Sequence, residues 1–183
     1  MSKGSSGLFH GTTGDRHQSS AEHTIASRTA GLDLREHPRG KSLSARQSRQ
    51  VRNKITARTA TKNEYRQYMS DKRFAERRKA GVNEFWKQER RRIKAGGQPT
   101  RDWSDEQRAD ILSGGRPKYE GRTIQGHHSY SASRYPHLAN RGEIIYPVTF
   151  DEHLFGWHGG NFSNSLPGKP IKYSKKRSFR RKK

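Results

Sequence analysis

The sequence predicts an α+β protein, in which basic helices lead into a small strand–loop–strand–helix module and the basic termini are mostly disordered. Three observations predict it. Capping-box signatures at Thr61/Glu64, Ser104/Gln107 and Thr149/Glu152 mark three helix starts. Between the second and third, short apolar runs separated by Gly, Pro and polar residues read as strands. The net charge of +22 is also divided: residues 1–100 carry +14, residues 101–170 carry none, and residues 171–183 carry +8. That division sets the expected organisation: a disordered or linker segment 1–60, a basic helical arm 61–100, a folded block 101–170 and a basic tail 171–183.

The elements follow in order. In residues 1–60, Leu8, Phe9, Ile25, Leu32, Leu34, Val51 and Ile55 are isolated and follow no period. Such a segment buries too little surface to offset its ordering entropy. The opening Met1 to Gly7 carries no structural signal. Residues 61–95 read as helical, with partial apolar stripes at Tyr65, Tyr68, Met69 and Ala75 and at Val82, Phe85, Trp86 and Ile93. Gly81 is expected to break or kink the segment between the stripes. The stripes suit docking on the next module, and the outer arginines and lysines suit phosphates. Residues 101–115 form a short lead-in helix, with Trp103 placed as a staple, Ile111 and Leu112 facing inward, and Gly114-Gly115 as the stop. Tyr119 to Gln125 reads as a short strand ending at Gly126-His127-His128. A polar loop with Arg134, Tyr135, Pro136, His137 and Asn140 follows, then a second strand at Ile144 to Val148. The Thr149 cap starts a short helix that Gly159-Gly160 ends.

Composition excludes several functions. The absence of cysteine rules out disulfides and thiolate metal sites. No run approaches the about 18 apolar residues of a membrane span, and no classical signal peptide is visible. The apolar fraction of 27% is too low for a core spanning the whole chain. The positive charge points to a polyanion, nucleic acid before an anionic membrane surface.

The neutral block holds five of the nine histidines: His127, His128, His137, His153 and His158. Adjacent residues on extended backbone face opposite sides. One histidine of a pair can therefore ligate a metal while the other faces water or substrate as a general base. A histidine at a capped helix start can supply a further nitrogen, and the helix N-terminus favours a nearby phosphate. Glu152 is accounted for by the cap, His137 reads as a loop residue, and Trp103, Phe155 and Trp157 read as core.

Gly126-His127-His128, Tyr135-Pro136-His137-Leu138-Ala139, Glu152-His153-Leu154 and His158-Gly159-Gly160-Asn161 resemble the GHH-signature toxins of the HNH/endonuclease VII superfamily. The resemblance covers roughly residues 101–170. It implies the ββα-metal finger fold and metal-dependent phosphodiester cleavage, in a module that typically ends bacterial polymorphic toxins. It implies His127 and His153 as metal ligands, with His158 as a further candidate, and His128 as the base that activates water. One divalent ion is implied: Zn, Mg, Mn or Ni. A cognate immunity protein is the implied partner besides nucleic acid, with DNA favoured and RNA possible. The implied location is that of a secreted or delivered effector acting in the target-cell cytoplasm.

Two positions depart from the family pattern. Ile144 stands where the central Asn is expected, which leaves Asn140, Glu143 or the backbone alone to brace the loop. The helical ligand pair is usually four residues apart, but His153 and His158 are five apart and Trp157 takes the expected place. Five residues of α-helix turn about 500°, or about 140° off the face, so His158 can join only if the helix unwinds near Gly156. Arg90, Arg91, Arg92, Lys175, Lys176 and Arg177 are the expected phosphate contacts. The rival reading is a non-enzymatic, basic nucleic-acid-binding protein. It explains the charge equally well and leaves the clustered histidines unexplained.

Overall fold

The computed structural model describes residues 15–172. Lys175, Lys176 and Arg177, most of the basic tail, and Met1 to Gly7 lie outside these residues. Four helices come first: α1 (Asp15–Thr29), α2 (Ala45–Thr56), α3 (Lys62–Lys94) and α4 (Asp105–Ser113). Two antiparallel two-stranded sheets follow, β1 (Lys118–Tyr119) with β2 (Arg122–Thr123) and β3 (Gln125–His128) with β4 (Ile145–Val148). A π-helix, Glu152–Trp157, closes the order.

Helix α3 runs for 33 residues from the Thr61/Glu64 capping box. Its inner side, with Phe85 and Trp86 buried and Val82 and Ile93 half-buried, packs against Trp103, Ile111, Ile124, Tyr135, Leu138, Ile144 and Ile145. The second of the two expected stripes is thus the core face of the molecule, whereas Tyr65 and Ala75 of the first are exposed. Glu89 is wholly buried in this face and accepts from Thr100 N, Thr100 Oγ1 and Trp103 Nε1, while Arg92 neutralises it. A buried carboxylate is tolerated only with such a full set of partners.

Gly81 does not break the helix. It lies buried within it, and a Cβ there would collide with the carbonyl oxygen of Ala139. Glycine here allows a loop carbonyl to seat against a helix backbone, which outweighs its poor intrinsic propensity of about 1 kcal/mol.

The expectation of disorder across residues 1–60 is corrected for residues 15–60, which hold two helices. The reason is that each helix is anchored by one apolar residue and by polar bonds, so no stripe is needed. Ile25 of α1 is buried against Val148 and Trp157. Arg28 donates to the carbonyls of Gly142 and Ile145 and to Gln88, and stands 5.0 Å from the centroid of the Phe85 ring. Burial, with Arg92 nearby, lowers its pKa to about 10. Helix α2 begins at a Ser44/Gln47 capping box and packs on α3 with Val51 buried. The segment between them is fastened by Arg39 to Asp71, 2.7 Å away, with the Leu43 amide donating to the same carboxylate.

The lead-in helix forms as its Ser104/Gln107 box and left-handed Gly114 (φ 94°) require. The run Tyr119 to Gln125 differs from a single strand. Glu120 and Gly121 both take positive φ and turn the chain back, so β1 and β2 make a small ribbon. The Gly-His-His triplet then lies inside β3, paired with β4 so that Gly126 faces Pro147 and His127 faces Tyr146. A Cβ on Gly126 would strike Ile145 and Val82, so this glycine brings the hairpin flat against α3.

Candidate metal centre and catalytic histidine

Strand alternation sends His127 and His128 to opposite sides of the β3–β4 hairpin. His127 is buried, with its ring 5.0 Å from the His153 ring and 5.0 Å from the His158 ring; the latter two are 4.9 Å apart. One nitrogen from each of the three lies within 4.8 Å of the others.

The winding of the last helix makes this triangle possible. The Thr149/Glu152 capping box forms as expected: the Thr149 amide donates to Glu152, and the Glu152 amide donates to Thr149 Oγ1. Arg101 grips both oxygens of Glu152 at 2.8 and 2.9 Å and also donates to the Pro147 carbonyl. Burial alone would raise the Glu152 pKa, but these bonds hold it below the usual carboxylate range. From there the chain winds as a π-helix, and the His158 amide donates to the His153 carbonyl five residues back. Residues i and i+5 then share a face, whereas α winding would put them on different faces. Trp157, which α spacing would put in the site, is buried behind it, 4.5 Å from the His127 ring.

Two of the three imidazoles are oriented by carbonyl acceptors. His153 Nδ1 donates to Gln125 Oε1 at 2.7 Å, and His158 Nδ1 donates to the Asn164 carbonyl. Both bonds leave Nε2 with its lone pair available, the arrangement usual around metal-ligating histidines. Burial lowers the pKa of His127 well below its ordinary value, and repulsion from His153 and His158 adds to this. Burial likewise lowers His153 to about 4. A cation requires a ring nitrogen that carries no proton, which the Nδ1–H bonds of His153 and His158 leave at Nε2, so the donor chemistry fits a divalent ion. Phe162, exposed at the rim, sits 5.3 Å from His153 and 5.1 Å from His158.

His128 occupies the other face. Its Nε2 donates to the Ala139 carbonyl at 3.0 Å, which leaves Nδ1 as the acceptor nitrogen. Burial, aided by the Arg78 charge, lowers its pKa to about 4 against the opposing effect of that hydrogen bond. It is close enough for its charge to be felt at His127 and His153.

The other residues expected at the site lie elsewhere. Asn140 accepts from Arg77 on the surface, and Glu143 accepts from Arg141. The buried bonds that span the loop come from Ser129, whose amide and Oγ both donate to the Ile144 carbonyl, and from Arg28. Of the expected phosphate contacts, Arg92 is committed to Glu89 and Thr100, because a buried carboxylate takes the nearest cation. Arg90 is half-buried beside Gly114, and Arg91 is exposed and paired with Glu84. The densest run of exposed cations on α3 lies at its middle, at Lys72, Arg73, Arg77, Arg78 and Lys79. Gln125, Arg28 and Ser129 were not singled out in the sequence. Gln125 directly precedes the Gly-His-His triplet, and that adjacency was the available signal.

Residues 69–149 match the Tox-GHH family model, described as a GHH signature containing HNH/Endo VII superfamily nuclease toxin. No curated protein and no solved structure matches the chain. The match begins within α3 and stops at Thr149, so His153 and His158 lie beyond it and join His127 through the fold. No helix among the described residues is long and apolar enough to cross a membrane.

Proposed function

We propose that this chain, with its GHH-signature nuclease toxin segment, is a metal-dependent endonuclease that hydrolyses phosphodiester bonds of DNA or RNA. The observation that carries this is the convergence of three imidazoles on one side of β3, with His128 on the other side and its Nδ1 free. His127, His153 and His158 hold one divalent ion through nitrogen. An all-imidazole set suits Zn or Ni better than Mg, which prefers oxygen ligands. Bound there, the ion would polarise the phosphoryl group and offset charge on the leaving oxygen.

His128 takes a proton from the attacking water at Nδ1, because Nε2–H is held by Ala139. The water oxygen bonds to phosphorus as the P–O bond to the leaving oxygen breaks. The exposed cations of α3, with the basic tail, grip phosphates on either side without reading sequence. A toxin of this kind acts as a delivered effector in a target-cell cytoplasm, and an acidic immunity protein is the partner that fits its charge.

The test is to incubate the full chain with plasmid DNA and with RNA, adding Zn, Ni, Mn or Mg ions, with and without EDTA. Cleavage of at least one nucleic acid, lost with EDTA, is expected. Binding without metal-dependent cleavage of either would overturn the enzymatic reading in favour of a non-enzymatic binder.

A further inference from the structure

A second cluster of ligand-type side chains lies apart from the site above. Asp33, His37 and His137 each offer one ligand atom, and these atoms lie within 4.8 Å of one another. His37 Nε2 is 3.5 Å from Asp33 Oδ2. The rings of His37 and His137 meet edge to face, 4.7 Å apart at 86°. His137 Nε2 donates to the Asp33 carbonyl at 2.8 Å, and His137 Nδ1 is buried with no hydrogen-bond partner among the described residues. A buried polar atom in that state is uncommon and calls for a cause.

The three residues are held in place by their surroundings. The His37 amide donates to the Arg134 carbonyl and the Arg39 amide to the Ser133 carbonyl, at 2.9 and 3.0 Å. Glu36 pairs with Arg134 at 2.8 Å and accepts from the Tyr135 hydroxyl. Residues 36–39 are thereby clipped along the loop that precedes His137. Arg35 competes for this carboxylate: its amide and Nε donate to Asp33 Oδ1, and its Nη2 donates to Oδ2. The Arg35 side chain is 81% exposed, so water readily replaces Asp33 as the partner of its guanidinium, which frees Oδ2 while the Arg35 amide stays on Oδ1.

We propose that Asp33, His37 and His137 form a second metal site, taking a divalent transition ion that favours imidazole, such as Zn. Two nitrogens and one carboxylate oxygen make a common donor set for zinc, with the remaining positions open to water. Asp33 and His37 precede the family-matched segment and His137 lies within it, so the ion joins the N-terminal segment to the matched loop. That loop continues directly into Ala139, whose carbonyl orients His128. The ion is a staple between these two parts and takes no part in phosphodiester hydrolysis.

The experiment uses Zn2+ alone as probe, with the full chain carrying His127→Ala and His153→Ala so that the first cluster is silent. Calorimetric titration should still show one binding event per chain. Adding His37→Ala, an exposed position whose loss leaves the core untouched, should weaken that event at least about 10-fold, as loss of a ligand does at such sites. Hydrogen exchange of residues 33–39 should slow when Zn2+ is added to the first variant and not to the second. Undiminished Zn2+ binding after His37→Ala overturns the site, as does exchange at 33–39 that ignores saturating Zn2+.

Discussion

His127 and His128 are neighbours on one strand, yet their surroundings share almost nothing. His127 faces His153 and Trp157 of the π-helix and His158 at its C-terminal cap. His128 faces away from them, and its hydrogen-bond partner is a main-chain carbonyl seated on α3. Both have lowered pKa values, mainly through burial. What separates them is what each ring nitrogen meets. The pair shows that residue type and strand position set the direction of a side chain, whereas its chemistry comes from elements distant in sequence.

The largest effect that tests this contrast is on turnover. His128→Ala should lower cleavage by about 10^2- to 10^4-fold, the usual contribution of a general base, while leaving metal affinity within a few fold. His158→Ala should instead abolish tight metal binding and cleavage together. Calorimetry and a plasmid assay on both variants separate the two outcomes. Equal loss of metal from both would erase the contrast between the faces.

A smaller effect is expected one layer out. Gln125→Ala removes the acceptor that orients His153 and should weaken metal affinity about 10- to 100-fold, with the fold retained by circular dichroism. Unchanged affinity would mean that the π-helix alone orients the ring. Smallest for chemistry, and mainly a matter of stability, is Arg28→Met. It leaves the Gly142 and Ile145 carbonyls without their charged donor and should cost about 2–3 kcal/mol, read as a lower denaturant midpoint. A midpoint equal to that of the parent chain would show that α1 is held by Ile25 alone.

Much of the module was legible in sequence because its signals are local. All three expected caps formed, at Thr61, Ser104 and Thr149, since each box satisfies two amides within four residues. Strand β4 and the loop before it followed from an apolar run and the polar residues preceding it, whereas the strand expected over Tyr119 to Gln125 gave way to a ribbon and β3 took the Gly-His-His triplet itself. Ser44 with Gln47 carries the same signature and announces α2 just as plainly. What was not legible depends on contacts distant in sequence. Nothing near Arg28 indicates that its guanidinium spans to residues 142 and 145. Nothing in the spacing of His153 and His158 states that the chain winds with an i to i+5 bond; only Gly156, between them, marked where the helix could relax. Gly81 carried a true local signal, low helix propensity, and a longer-range contact overrode it.

The seat at Gly81 also bears on which stretch of chain can be inherited or transplanted as a unit. The helix that presents the charged face holds up, on its inner side, the carbonyl that fixes the proton on His128. A fragment beginning at residue 101 would keep every histidine of the first cluster, and His128 as well, yet it would leave Ala139 resting on nothing. On the proposed function, grip and chemistry share one beam, and recombination that swaps one without the other would cut through it.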